Sequence, residues 1–373
     1  MEPIYMSGPW ITEHEIKVVE DCMRNGWYSY HYVENFQKEF AAYHNRKYGI
    51  MTPNCTTAIH LLLTAMGIKD GDEVIAPECT WVGSVAGITY LRANPVFCDI
   101  DPKHWCLDPE SVEKSITPRT KAVIAVDLFG NMPLLDEVQQ VCNAHNVPLI
   151  EDAAEALGSV YKGVRAGKFG IASVFSFHRT KTLVTGEGGM LLLDDDQLYE
   201  RCMFLRDHGR KADGPAYFNY EITYKYMPFS LQAAMGYAQF QRLDELIARK
   251  RWIFESYKKR LADIEDIELN PEPEGQGGFN SVWITGLLIG KSYNMDKLQA
   301  MDKLKNLGLP TRPFFYPLSS LPAYPDLEKI YHPRNPLSYD ICARGINLPG
   351  ALIMTEDQID CVCEGVHKIF TRK

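Results

Sequence analysis

The 373-residue sequence predicts an α/β protein, with a large domain on a parallel or mixed sheet and a smaller α+β domain at its C-terminal end. Three observations carry that reading. Short apolar, β-rich runs alternate with helical patterns from about residue 47 to about residue 195. Those strand-like runs are nearly continuously apolar, as strands covered by helices on both faces are. The polar and ring-bearing residues of interest gather where the runs end, the edge at which open sheets of this class bind ligands.

The elements follow in order. "NCTTAIHLLLTAMGI" opens on capping-type residues and then repeats apolar positions at helical spacing. "DEVIAPECT" is a buried strand ending in a loop, and "GSVAGITYLRA" is a helix. "NPVFCDIDP" is the next strand, "DPESVEKSI" a capped helix, "TKAVIAVDLFG" a strand and "LLDEVQQVCNAHN" a helix. "VPLIEDAAEAL" is a strand running into a loop, and "ASVFSFH" and "GGMLLLDDD" complete the sheet. The stretch from about Ser230 to Ile264 reads as one long helix, and the Pro/Gly-rich "ELNPEPEGQGGFNSVW" as a linker or loop. "ITGLLI", "NMDKLQAMDKLKNLG" and "TEDQIDCVCEGVHKIF" form the compact C-terminal unit. A boundary near residues 245–265 divides the chain into domains 1–250 and 251–373.

Composition narrows the function. A net charge of -9 without a dense basic tract argues against nucleic acid as a partner. Apolar stretches such as "AVIAVDLFG" are too short to cross a bilayer, and the first residues lack the basic start and apolar stretch of a signal peptide. The ten cysteines, Cys22 to Cys363, are scattered without zinc-site spacing. They read as reduced, mostly buried thiols of a cytoplasmic protein that holds no metal.

The candidate chemistry lies at the strand ends. Asn54 to Thr57 stand at a strand-to-helix transition, where free amides and the hydroxyls of Thr56 and Thr57 make a phosphate cup or a plain N-cap. Trp81 follows a strand and either fills core space or covers a planar ring. Glu151 and Asp152 close an apolar strand, with Glu155 three residues on. Ser176 lies in the strand that leads to Lys181, and a glycine-rich loop follows that lysine. Arg179 either lowers the pKa of Lys181, contacts an anion or is a solvated cation.

A phosphate cup, an aromatic plane, an acid and a loop lysine at one sheet edge match pyridoxal 5'-phosphate. The lysine bonds to its aldehyde, and the acid keeps the pyridine nitrogen protonated so that the ring takes up electrons. Competing motifs fail. "GVRAGKFG" has the wrong glycine spacing for a Walker loop and Phe169 where Ser or Thr is needed. G-x-G-x-x-G after a strand, G-x-S-x-G and H-E-x-x-H are all absent. Histidines such as His178 and His208 read as structural.

With these residues in place, the sequence resembles the DegT/DnrJ/EryC1/StrS group of sugar aminotransferases. "GWYSYHYVENFQKEFAAYHNRKYGI", "DGDEVIAPECTWVGSVAGITYLRANPVFCDIDP", "IEDAAEALGS", "KTLVTGEGGM", "LQAAMGYAQFQRLDEL" and "TRPFFYPL" are similar to its signatures, in their order. The resemblance implies an aspartate-aminotransferase-like architecture (fold type I) and a homodimer with active sites at the subunit interface. It implies that Lys181 bonds the cofactor and moves the substrate proton. Asp152 would pair with the ring nitrogen, Glu155 would sit near the ring hydroxyl, and Trp81 would stack on the ring. Thr56, Thr57 and Ser176 would hold the phosphate, and Ser29, Arg312 and Tyr316 would lie near the substrate. Three positions depart from the pattern. Lys225 stands where many relatives send an Asn into the neighbouring subunit's phosphate site, and Asp127 and Ser319 stand where His is frequent. A dehydratase branch carries His in place of the lysine, whereas His178 lies three residues early here. The implied reaction moves an amino group from glutamate to a nucleotide-linked keto sugar. "KTLVTGEGG" and "TRPFFYPLSS" point to GDP-4-keto-6-deoxymannose, with amination at C8 of a keto-deoxyoctulosonate as the alternative. A cofactor-binding regulator without turnover and an α/β scaffold with an incidental lysine are the remaining readings.

Overall fold

The computed structural model describes residues 2–273 and 277–371. Two helices come first, α1 (Glu13–Asn25) and α2 (His31–Tyr43). Then β1 (Tyr48–Thr52), α3 (Cys55–Ala65), β2 (Glu73–Pro77), α4 (Gly83–Tyr90) and β3 (Asn94–Cys98) alternate. The alternation continues through α5 (Pro109–Ser115), β4 (Thr120–Val126), α6 (Leu135–Ala144) and β5 (Leu149–Asp152). A short hairpin, β6 (Val160–Tyr161) and β7 (Val164–Arg165), precedes β8 (Ala172–Ser176), β9 (Gly189–Leu193) and α7 (Asp196–Arg206).

The main sheet has seven strands in the order β1-β9-β8-β5-β4-β2-β3. Its centre is parallel, while β9 runs antiparallel to both β1 and β8, so the sheet is mixed. The strands are mostly apolar because both faces are covered. One face packs Phe36 and Phe40 of α2, Val112 of α5, Leu135 of α6 and Ala233 onto Val123, Leu149 and Phe175. The other packs Leu62 of α3, Val85 of α4 and Leu205 of α7 onto Ile124, Ile150 and Val174. Each large side chain buried this way contributes about 1.5–3 kcal/mol. Gly189 lets β9 run under the start of α3, since a Cβ there would meet the Asn54 carbonyl carbon at 2.5 Å.

The stretch read as one long helix is two: α8 (Ser230–Phe240) and α9 (Leu243–Arg260). The break falls at Arg242, whose backbone leaves helical geometry. Its guanidinium bonds Glu15 Oε1 at 2.6 Å and Thr12 Oγ1 at 3.1 Å on the N-terminal helix. That pairing joins residues far apart in sequence and turns the chain. In consequence α9 spans two cores, with Leu243 and Ile247 in the main one and Ile253 and Tyr257 in the C-terminal one.

A second, antiparallel sheet follows, in the order β10 (Ile267–Leu269), β11 (Gly286–Ile289), β13 (Gly345–Asn347), β12 (Arg312–Pro313). Helices α10 (Lys297–Asn306) and α13 (Glu356–Phe370) pack on it with α9. Between β12 and β13, α11 (Glu328–Tyr331) and α12 (Pro336–Arg344) return to the main sheet, where Tyr331 packs on Phe97. The expected linker is in part structured: β10 takes its first residues, Asn270 and Asn280 are buried, and Phe279 bridges to Val160. Residues 274–276 of it lie outside the described residues. We propose that the change of unit falls within α9, because that helix contributes to both cores.

Candidate active site

Asp152 ends β5, between Val126 of β4 and Val174 of β8 in register. Its side chain is buried toward α4, where Oδ2 accepts from Ser84 Oγ at 2.7 Å and Oδ1 from the Ala154 amide at 3.1 Å. Burial raises its pKa, and these two bonds with the charge of Lys181 pull it back toward the ionised form.

Lys181 is carried on the turn that closes β8 onto β9. Its amide donates to His178 O at 2.8 Å, and the Arg179 amide donates to Gly186 O at 2.8 Å. From there Nζ reaches Glu155 Oε1 at 3.0 Å, with the lysine side chain 13% exposed and the glutamate 7%. The second oxygen of Glu155 accepts from the Phe129 amide at 2.9 Å. Phe129 adopts a left-handed φ of 57°, unusual for a ring-bearing residue, and that conformation aims its amide at the carboxylate. A sequence reading missed Trp283, which lies in the stretch expected to be a linker. Its Nε1 donates to Thr180 O at 2.7 Å, and Lys181 Nζ sits 3.8 Å from its ring centroid. The available signal was a tryptophan closing a Pro/Gly-rich run immediately before a β-rich segment.

The start of α3 shows the cap directly. Asn54 is the cap: its side chain accepts from the Thr57 amide at 2.9 Å, and Thr57 Oγ1 returns to Asn54 O at 2.8 Å. Thr57 is therefore committed to the cap, whereas Thr56 borders Gly83 and Trp81. A Cβ on Gly83 would lie 2.8 Å from Trp81 Cδ1 and 3.1 Å from Thr56 Oγ1, so the glycine keeps this cradle open. Trp81 is 60% exposed, its ring 5.8 Å from that of Phe315. Cys55, also missed from sequence, begins α3 among Asp152, Lys181 and Glu155; burial and the two carboxylates push its thiol pKa up. Ser176 is half-buried at the end of β8, its Oγ accepting from the His178 amide at 3.3 Å.

The other expected residues lie further out. Arg312 on β12 neighbours Arg179, and burial together with that second cation lowers its pKa. Tyr316 is half-exposed, its ring 3.8 Å from Lys297 Nζ. Ser29 Oγ lies 2.8 Å from His31 Nδ1, and its carbonyl accepts from Ser230 Oγ at 3.1 Å. Lys225 is exposed and pairs with Asp207 at 2.7 Å, so one chain alone does not bring it to Lys181. Ser319 is buried, its amide on Glu78 at 2.7 Å and its hydroxyl 2.9 Å from Tyr339. Asp127 is fully buried one residue past β4. A cavity of about 410 Å³ bordered by His104, Asn131, Tyr161 and Lys162 contains none of these groups. The converging acid, amine and aromatic faces, not volume, mark the reactive edge. No cluster of metal-ligating side chains occurs among the described residues.

Residues 9–367 match the model of the DegT/DnrJ/EryC1/StrS aminotransferase family. The chain belongs to that family. It is 36% identical over 373 residues to the GDP-perosamine synthase of Vibrio cholerae, covering 99% of each chain. It is 34% identical over 375 residues to that of Escherichia coli O157:H7, covering 100% of this chain and 99% of the relative. Among solved structures it resembles 3-amino-5-hydroxybenzoic acid synthase, with a TM-score of 0.88, 26% identity and coverage of 98% and 99%. It also resembles DesI in the presence of its TDP-sugar product, with a TM-score of 0.89, 27% identity and coverage of 100% and 94%. This aminotransferase therefore has the aspartate-aminotransferase-like fold and is a pyridoxal-phosphate-dependent enzyme acting on a small-molecule sugar. Its own residues fit the cofactor: the buried acid Asp152, an amine held 3.0 Å from Glu155, and a cradle between Thr56 and Trp81 that a Cβ at Gly83 would fill. Among the described residues, no helix is long and apolar enough to cross a membrane.

Proposed function

We propose that this aminotransferase moves the amino group of glutamate to GDP-4-keto-6-deoxymannose, giving GDP-perosamine. The observation that carries the chemistry is Lys181 Nζ, 3.0 Å from Glu155 and held above the strand end that presents Asp152. The choice of sugar is supported by relatives similar along their whole length. The amination of a keto-deoxyoctulosonate has no residue here that favours it. The dehydratase reading needs an imidazole in the place of Lys181, and His178 Nδ1 is turned to Thr180 at 2.9 Å instead.

Pyridoxal phosphate, when bound, supplies the aldehyde that carries the amino group and the ring that takes up the electron pair of the reacting carbon. Asp152, ionised with the help of Ser84 and Ala154, holds the proton on the ring nitrogen. Lys181 Nζ takes the proton from the reacting carbon and returns it, and Glu155 keeps that amine in reach. Trp81 covers the ring, while Thr56, Ser176 and the first amides of α3 bind the phosphate, with Thr57 holding the cap that aims them. Arg179 and Arg312, neighbouring cations, bind substrate anions beside Ser29 and Tyr316.

The working unit is a homodimer with shared active sites, to which Lys225 contributes from the partner subunit. Support comes from the surface: Tyr28, Tyr217 and Ile222 are 99%, 96% and 99% exposed, apolar area that a partner subunit would cover. The free cysteines fit a reducing compartment, and we place the reaction in the cytoplasm. To test the substrate, the amine-loaded enzyme is incubated with a panel of nucleotide keto sugars and the products weighed by mass spectrometry. Amination of GDP-4-keto-6-deoxymannose ahead of the others is expected; preference for another sugar would replace it.

A further inference from the structure

The buried carboxyls around the main sheet nearly all have donors. Glu78 accepts from Ser319 and Asn335, Glu155 from Lys181 and Phe129, and Asp152 from Ser84 and Ala154. Asp127 does not. It is 0% exposed, and neither carboxyl oxygen has a hydrogen-bond partner among the described residues. An ionised carboxylate so placed is strongly disfavoured, and such a group takes up a proton instead.

Its surroundings say where that proton points. Strand alternation puts Asp127 on the same side as Ala125 and Glu151, opposite to Asp152. Glu151 is also fully buried, but it is built for negative charge: Oε1 accepts from the Gly167 amide at 2.8 Å and Oε2 from the Phe169 amide at 2.9 Å. Arg46 clamps that loop, with Nε on Gly167 O at 2.8 Å and Nη1 on Asp194 at 3.0 Å. One acid of the pair has two donors and a nearby guanidinium; the other has only its neighbour's oxygens.

We propose that Asp127 is a neutral, proton-bearing acid that donates its hydrogen bond to the Glu151 carboxylate, leaving Asp152 as the ionised carboxyl at the end of β5 on the cofactor side. Its part is that of a positioning residue. By staying neutral it keeps a further negative charge from raising the pKa of Asp152, the group read above as the partner of the ring nitrogen. The titratable neighbours are Glu151 and Asp152 on β5, Glu155 beyond it, Arg46 ahead of β1 and the Cys106 thiol after β3. Burial first, then the charges of Glu151, Asp152 and Glu155, push the pKa of Asp127 well up. Burial pushes Glu151 up to about 7 against the pull of its two amides and Arg46. Both acids are raised on folding, so the stability they contribute is full below the ordinary carboxylate range. It is lost as the pH climbs through about 7 and beyond.

The test uses the full chain without cofactor, so it reads Asp127 independently of the aminotransferase assignment. The infrared spectrum at about pH 8.5, above the titration of Glu151, should show the carbonyl stretch of a protonated carboxylic acid, absent from Asp127→Asn and retained in Glu151→Gln. In urea unfolding, the wild-type midpoint should fall more between about pH 6 and about pH 9 than that of Asp127→Asn, whose amide keeps the donor and cannot ionise. A wild-type spectrum with no acid band overturns the proposal, as does an equal fall in both midpoints. Should Asp127→Asn not fold, loss of the band in Glu151→Gln overturns it and retention supports it.

Discussion

The edge around Lys181 and the segment from 207 to 229 are opposites in construction. At the edge, Lys181 bonds Glu155, Asp152 accepts from Ser84 and Ala154, and Trp283 donates to Thr180 O, all within a single chain at 2.7–3.1 Å. In the segment, Ile222 and Tyr217 stand almost wholly in water and Lys225 pairs with Asp207. Trp27, half-exposed, meets Phe229 edge-on at 5.4 Å beside it. An isoleucine left in water forgoes about 1.5–3 kcal/mol of burial, so a chain that keeps several such residues gains by covering them. The contrast teaches that the groups around Lys181 find their partners within one chain, whereas the segment leaves apolar side chains in water that the proposed dimer would cover.

That contrast is open to experiment. The largest effect belongs to Lys181→Ala: amine transfer should fall by more than about 10⁴-fold, the upper end of what a positioned proton-transfer group supplies, while circular dichroism stays unchanged. Residual transfer near wild type would refute the assignment. Asp152→Asn keeps the shape but not the charge, and should cost about 10²–10³-fold in kcat with the cofactor still bound. A near-normal rate would remove Asp152 from its role. On the other side of the comparison, Ile222→Asp should weaken self-association by about 30-fold, equivalent to about 2 kcal/mol, in sedimentation equilibrium. Because that side chain is solvent-exposed in the single chain, subunit stability should not change; unaltered association would count against the shared site. The smallest change is Trp283→Phe, which removes the bond to Thr180 O and about 1 kcal/mol of stability. Its turnover should slow only a few-fold, and a collapse comparable to Lys181→Ala would mean that the indole does more than support the amine.

Much of the large unit was legible because its signals are local. Apolar runs of five or so residues between helical patterns predicted β2, β4, β5 and β8, and each is buried on both faces. A cap at Asn54 or Thr56 was legible because capping acts within one turn, and the structure gives it to Asn54. Failures came where distant groups decide. The helix expected from Ser230 to Ile264 breaks at Arg242 because Glu15 and Thr12 hold its guanidinium. Trp283 was hidden in a loop-like composition, and its position beside Lys181 depends on a bond to Thr180 that spacing does not reveal.

By itself the sequence determined the strand-helix alternation, the acid that closes β5 and the lysine that follows β8, since each is set by local pattern and by the parallel sheet that pattern demands. Tertiary structure alone decided that Glu155 meets the Lys181 amine, that Trp283 lies against it and that Asp127 is sealed beside Glu151 without a donor. The physical reason is range. Propensity and periodicity act over a few residues, while hydrogen bonds and desolvation act on groups that only packing brings together.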